Sequence, residues 1–206
     1  MTLALALTTL CQAQSRKVIT LSSWDFSRDG KAWQQVAVPH DWAISGPFDK
    51  KWDLQMVAIE QNGETEKTEK SGRSGALPWI GEGMYKMNWT APKGYKRAVL
   101  VFDGAMSQPV VTVNGKEAGK WAYGYNAFRI DITPFIQFGK KNLIEVHLNN
   151  VEESSRWYPG GGLYRPVSVE LYGNENFSTW DTFVRTLKAD KQEAEVEVNA
   201  LLEGKT

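Results

Sequence analysis

Residues 98–115, AVLVFDGAMSQPVVTVNG, carry the pattern that decides the fold. Two short runs rich in β-branched residues are each bounded by Gly, Asp, Asn or Pro, which is typical of β-strands. Asn114 and Gly115 directly follow the second run. Because both tolerate positive φ, they predict a two-residue hairpin turn, with Val113 ending one strand and Ala118 near the start of the next.

The same strand pattern recurs later in the chain, in LIEVHLNN from Leu143 and VSVELYG from Val167. Stretches of helical length with a period of 3.6 residues are scarce, so we predict an all-β sandwich. The alternation breaks after Gly173 and resumes in AEVEVNALLEGKT. This predicts a second β domain that begins near Asn176 and is cut off after about two strands, which would be marginally stable alone.

The composition favours a neutral partner. The chain has 206 residues and 42% hydrophobic residues, enough for one substantial core. Its 24 basic and 24 acidic residues balance, so no net field attracts nucleic acid or an anionic membrane, and we expect neither as a partner. Nine Trp, seven Tyr and eight Phe are many for this length. Such rings suit sugar stacking, although Trp equally fills a β-sandwich core.

The first residues, MTLALALTTLCQAQ, predict a signal peptide. The apolar run is followed by Cys11, Gln12 and Ala13, which indicates cleavage after Ala13 and export to the periplasm or cell surface. The run is too short to span a membrane as a helix, and an ordinary buried strand is the alternative reading. Cleavage would remove the only cysteine and leave no disulfide.

The sequence offers no catalytic centre of its own. The two histidines, His40 and His147, show no metal-ligand spacing, and no nucleotide motif is present, so neither metal nor cofactor is predicted. Glycoside hydrolysis needs two carboxylates that face one bond, and no such pair stands out. Glu82, in WIGEGMY, is the nearest candidate for a ligand contact, with a plain surface carboxylate as the alternative.

Two segments predict irregular structure near a site. QNGETEKTEKSGRSG, residues 61–75, is polar and too long for a tight turn. It leads to Trp79, and either walls a binding cleft or is a solvated loop. VAVPHDWAISGPF begins at Val36 and predicts a corner, in which His40 and Asp41 bond local backbone and Trp42 packs beneath. Adjacent side chains in an extended chain point to opposite faces, so His40 and Asp41 are not a catalytic dyad.

Five segments in this order resemble the N-terminal domain of glycoside hydrolase family 2, in particular exported β-galactosidases of Bacteroidetes type. They are WQQVAVPHDW (33–42), GALPWIGEGMYKMNW (75–89), FDGAMSQPVVTVNGKEAG (102–119), YGYNAFRIDIT (123–133) and SSRWYPGGGLYRPV (154–167). The resemblance implies a jelly-roll-like, galactose-binding-like β-sandwich over residues 14–175. Residues 176–206 would begin an immunoglobulin-like sandwich, and a TIM barrel absent from this chain would carry both catalytic glutamates.

The resemblance also implies which residues approach a substrate. Arg156, Trp157 and Tyr158 match one loop that reaches toward the terminal sugar, and the segment from Trp79 to Glu82 matches the other. Several β-galactosidases and β-glucuronidases have Asp at the position of Arg156, so the sugar contact there is expected to differ. The implied partners are a terminal β-linked sugar of an oligosaccharide or polysaccharide, and the catalytic barrel.

Other residues that match the family are expected to support the structure: His40, Asp41, Trp42, Arg129, Asp131 and Arg165. Arg165 follows the glycine run 160–162, where an arginine can fix a corner through paired bonds to carboxylates or carbonyls. Two other functions stay open at this point. One is a stand-alone carbohydrate-binding module without hydrolase activity, and the other is a structural β-sandwich of a surface protein.

Overall fold

Two facing antiparallel sheets form the body of the protein, in a computed structural model that describes residues 16–70, 79–150 and 160–204. In chain order the strands are β1 (Lys17–Thr20), β2 (Ser23–Ser27), β3 (Gln34–Ala37), β4 (Gln55–Val57), β5 (Thr68–Lys70), β6 (Glu82–Thr90), β7 (Arg97–Phe102), β8 (Val110–Val113), β9 (Lys116–Lys120), β10 (Phe128–Asp131), β11 (Lys141–Asn149), β12 (Val167–Tyr172), β13 (Glu175–Ala189) and β14 (Ala194–Gly204). Two short 3-10 helices span Lys50–Asp53 and Glu60–Asn62. The all-β prediction is confirmed.

The sandwich has four strands in one sheet and six in the other. The order is β1-β12-β7-β10 in the first and β3-β2-β6-β11-β8-β9 in the second. Alternation sets which side chains enter the core: in β11, Ile144, Val146 and Leu148 are buried while the residues between them are half-buried on the outer face. β7 faces them from the other sheet with Leu100 and Phe102, both buried.

The predicted hairpin turn is confirmed. β8 ends at Val113, and Asn114 and Gly115 have φ of 52° and 76°. The Asn114 side chain also accepts a hydrogen bond from Leu143 N at 3.0 Å and donates to Phe135 O at 2.8 Å. The turn is thereby joined to the neighbouring loop.

Part of the polar segment predicted as a loop forms a small hairpin. β4 and β5 pair antiparallel, and one 3-10 turn lies between them. Glu64 accepts bonds from Ile59 N at 3.0 Å and Lys70 Nζ at 2.9 Å, which lower its pKa. Local polar bonds therefore order a stretch whose composition indicated only a loop. Residues 71–78 lie outside the described residues.

β13 and β14 form a separate antiparallel ribbon that leaves the sandwich beyond the end of β12. Its apolar side chains are largely exposed, and Trp180 is 88% exposed. Arg97 of β7 binds Glu203 of the ribbon at 2.6 Å. That these strands begin a second domain stays a prediction. Among the described residues, no helix is long and apolar enough to cross a membrane.

Candidate functional site

The segment around Trp42 and the glycine run 160–162 meet at one corner of the sandwich. Their backbones pair, since His40 N donates to Leu163 O at 2.8 Å and Trp42 N donates to Gly161 O at 2.9 Å. Asp41 Oδ1 accepts from Ala43 N at 2.8 Å and from Gly161 N at 3.1 Å. The glycine run is therefore held in place as it enters the core. We call this arrangement the Trp42 corner.

The Trp42 corner depends on two glycines that leave room for one indole. Trp42 is fully buried. A Cβ on Gly161 would lie within 2.8 Å of three Trp42 ring atoms, and one on Gly83 would lie within 2.7 Å of three others. Such distances are closer than van der Waals contact allows. The ring is therefore enclosed by bare backbone on two sides.

Aromatic rings and one arginine surround Trp42. Phe26 stacks on it with ring centroids 5.5 Å apart, and Trp79 meets it edge-on at 5.4 Å. The Arg28 guanidinium lies 4.9 Å above Trp79 and donates a hydrogen bond to Gly46 O. Trp79, which was predicted to approach a sugar, is therefore half-buried and held between Trp42 and Arg28.

His40 supports the Trp42 corner from inside. His40 Nδ1 lies 2.7 Å from the hydroxyl of Tyr85, and that hydroxyl also accepts from Leu163 N at 3.4 Å. Burial lowers the pKa of His40 and raises the pKa of Tyr85 well above its usual range. Both groups are neutral near pH 7, so the pair serves as a hydrogen-bonded support.

Glu82 lies apart from Trp79, on the outer face of the six-stranded sheet. Gly83 and Tyr85 of β6 face the core, so Glu82 points the other way. Its Oε2 lies 3.1 Å from His147 Nε2 on the paired strand β11, and both side chains are exposed. The structure thus places two residues predicted for one loop contact on different surfaces.

Arg156, Trp157 and Tyr158, the other residues predicted to approach a sugar, lie outside the described residues. Both neighbours of segment 151–159 are described. Asn150 is buried, its backbone N donates to Gly81 O at 3.0 Å, and its Nδ2 donates to Gly160 O at 2.6 Å. Asn150 therefore brings both ends of that segment beside the Trp79–Glu82 stretch. Sequence reasoning missed Asn150, for which an asparagine at a strand end was the sole signal.

Arg129 lies in a different ionic cluster, on the outer face of the four-stranded sheet. Both of its Nη atoms donate hydrogen bonds to the Glu170 carboxylate, and the distance from Nη1 to Oε1 is 3.2 Å. Tyr172 and Arg16 also donate hydrogen bonds to Glu170. Burial acts to raise the pKa of Glu170, but bonds from Arg129, Tyr172 and Arg16 lower it to about 2. Glu170, which sequence reasoning missed, is a charged and satisfied support.

Asp131 and Arg165 bind backbone or arginine groups near strand ends. Asp131 accepts from Arg97 Nε at 3.0 Å and from Thr133 N at 2.9 Å. Arg165 Nη1 donates to the carbonyls of Asp103 and Tyr125, at 3.3 Å each.

No group of three His, Cys, Asp or Glu side chains suited to a metal occurs within residues 16–70, 79–150 and 160–204.

Known proteins similar to this chain are glycosidases. No protein-family model matches it. It is 31% identical over 165 residues to the beta-galactosidase BoGH2A of Bacteroides ovatus, covering 79% of this chain and 17% of that protein. It is 29% identical over 173 residues to a beta-glucuronidase of Bacteroides fragilis, covering 76% and 21%. The chain thus spans 17% to 21% of the length of these curated relatives.

Solved structures agree with the sequence matches. A glycosyl hydrolase family 2 member from Bacteroides cellulosilyticus superposes with a TM-score of 0.70 at 29% identity, covering 90% of this chain and 24% of that one. A beta-glycosidase from Bacteroides vulgatus gives a TM-score of 0.72 at 26% identity, covering 92% and 24%. The similarity therefore includes most of the described sandwich.

Proposed function

Because this chain is a glycoside hydrolase family 2 domain, we propose that it is the non-catalytic, sugar-binding N-terminal part of a retaining β-galactosidase-like hydrolase. Its role is to shape the pocket for the terminal β-linked sugar, while a TIM barrel outside this chain supplies both catalytic glutamates. Export to the periplasm or cell surface is part of the proposal, because polymeric glycans are encountered there.

The observation that carries the proposal is the bonding of Asn150. This buried side chain closes segment 151–159 at its base, and its backbone joins that base to Gly81, between Trp79 and Glu82. The two segments predicted to approach the sugar therefore start from one point at one end of the sandwich. Loops that start from a rigid scaffold can place side chains over a neighbouring active site.

The contact residues under this proposal are Arg156, Trp157 and Tyr158 of one segment and Trp79 of the other, whereas Glu82 turns away toward His147. Trp79 offers its remaining exposed surface, because Trp42 and Arg28 already cover other parts of the ring. Held in this way, an aromatic ring contacts a sugar with little further loss of side-chain entropy. The contribution of this domain is thus positioning rather than bond cleavage.

The test uses a longer protein that contains this domain and a family 2 barrel, with an aryl β-galactoside as substrate. Trp157→Ala should lower kcat/KM about tenfold, equivalent to about 1.4 kcal/mol of transition-state binding. Trp180→Ala is the matched control, since that ring lies on the β13–β14 ribbon beyond the opposite end of β12. It should leave kcat/KM unchanged.

A second measurement separates positioning from catalysis. The 206-residue chain alone should not hydrolyse the aryl β-galactoside above background. Turnover by the isolated chain, or an unchanged kcat/KM in the Trp157→Ala variant of the longer protein, would contradict the proposal.

A further inference from the structure

The outer face of the six-stranded sheet carries an aromatic side chain with cavities beside it. Trp33 directly precedes β3, and its Nε1 donates to Gly30 O at 3.1 Å. The Lys86 ammonium of β6 lies 3.6 Å from the centroid of the indole ring. The ring is thus oriented by its own loop and by a cation–π contact, and it is half-buried rather than covered.

Trp33 borders two cavities. One has a volume of about 450 Å³ and is lined by Ser27, Arg28, Asp29 and the stretch 45–47. The other has about 280 Å³ and is lined by Met84, Thr112, Glu145 and His147, among others. Sites for small ligands measure roughly 300–1,000 Å³, so the first cavity lies within this range and the second lies just below it. We call them, with Trp33, the Trp33 groove.

The lining of the second cavity includes both apolar and hydrogen-bonding groups. Thr112 Oγ1 donates to Glu145 Oε2 at 3.2 Å, and His147 lines the cavity beside this pair. The Glu145 carboxylate keeps further lone pairs that can accept hydroxyl protons. Beside them, Trp33 and Met84 offer apolar surface. Sugars need both kinds of surface, because their C–H faces stack on indole while their hydroxyls form hydrogen bonds.

The charges of the Trp33 groove favour a neutral ligand. Arg28 and Asp29 offset each other in the first cavity, and the Lys86 ammonium over the Trp33 ring is offset by Glu145 in the second. One oxygen of the Asp29 carboxylate, Oδ1, already accepts hydrogen bonds from Lys31 N at 2.8 Å and Ala32 N at 3.0 Å. A polyanion would find no excess of positive charge here, which argues against uronate chains.

We propose that the Trp33 groove binds a neutral oligosaccharide of two or more units, with Trp33 stacked on one ring and Glu145 bonded to its hydroxyls. This site is additional to the contacts near the Trp42 corner and does not depend on the catalytic barrel. The domain would then hold a glycan chain through its sheet face as well as through its loops.

The test titrates the 206-residue chain with cellotetraose and β-1,4-galactotetraose, followed by tryptophan fluorescence and calorimetry. We expect binding of at least one of them with a Kd on the order of 1 mM, and about tenfold weaker binding in Trp33→Ala. Trp180→Ala, which removes an exposed ring outside the groove, should bind like the wild type. Tetragalacturonate, the anionic probe, should bind more weakly than the neutral tetrasaccharides.

Because Trp33→Ala could loosen its loop, a second variant fills the groove instead. Thr112→Tyr adds volume on the outward face of β8, so it should abolish binding without lowering the melting temperature. Absence of neutral-sugar binding to the wild type up to about 10 mM would overturn the proposal. So would preferred binding of tetragalacturonate, or wild-type affinity in both groove variants. Loss of binding in Trp157→Ala alone would assign the sugar to segment 151–159 instead and equally overturn the proposal.

Discussion

Replacing Gly161 by Ala should destabilise the protein through one steric clash. Gly161 does not have a positive φ, so alanine introduces no backbone penalty of that kind. Its Cβ would instead lie within 2.8 Å of three ring atoms of Trp42. The ring cannot move away freely, because the opposite side meets Gly83 and one face stacks on Phe26.

The expected magnitude follows from this enclosure. Forcing an extra methyl group into a packed core costs about 1–3 kcal/mol, and the upper end applies where the neighbour cannot shift. For a chain of this length, about 3 kcal/mol lowers the melting temperature by roughly 6–12 °C. Trp42→Phe removes the atoms that clash, so the double variant should lose at least about 1 kcal/mol less than the sum of the single variants.

Urea and thermal unfolding, followed by circular dichroism, measure these differences. Gly115→Ala is the matched control, since no atom lies within 4 Å of its Cβ position and only its φ of 76° opposes alanine. That change should cost about 1 kcal/mol. A steric clash at Gly161 is refuted if Gly161→Ala unfolds at the same temperature as the control, or if the double variant shows simple additivity.

Three further changes test other supports. Glu170→Gln, which removes the charge bound by Arg129, should lower the free energy of unfolding by about 2 kcal/mol at neutral pH. The pKa of Glu170 is lowered from 4.5 to about 2 in the folded protein, so the stability difference between the wild type and Glu170→Gln should shrink as the pH falls from 4.5 to about 2. A stability difference that does not change with pH would contradict this prediction. Burial lowers the pKa of His40, so its protonation favours the unfolded chain and the free energy of unfolding should fall below about pH 6.5. His40→Gln should abolish this loss. If the free energy of unfolding, measured by urea titration, depends on pH equally in both proteins, this explanation is wrong. Asn114→Ala should cost about 2 kcal/mol, whereas Asn114→Gly, which loses the same side-chain hydrogen bonds but adopts a positive φ freely, should cost less in thermal unfolding; the opposite order would disprove the role of the positive φ.

Strands in which apolar and polar residues alternate were predictable from the sequence. The runs at Val110 and Leu143 carry their own burial pattern, and Asn114-Gly115 specifies its turn through backbone preferences alone. The strand Thr68–Lys70 was not predictable, because TEK has no apolar face and becomes a strand only by pairing with β4. Such elements depend on contacts that a local pattern does not encode.

The site residues divide in the same way. The Trp42 corner could be anticipated, since Pro39 and its neighbours have strong local turn preferences. Asn150 and Glu170 could not be, because their roles depend on Gly81 and Arg129, which are far away in the chain. Glu82 illustrates a related limit: it follows Trp79 by only three positions, yet strand alternation turns it toward His147.

The bonding of Asn150 has a consequence for how this domain can diversify. One buried amide joins the two ends of a segment of nine residues, 151–159, to the edge of the sandwich. Loop-closure costs rise only slowly with length, so we expect the scaffold to tolerate segments of other lengths between those ends. Sequences grafted between Asn150 and Gly160 should change which glycan is recognised while the same scaffold folds around Trp42.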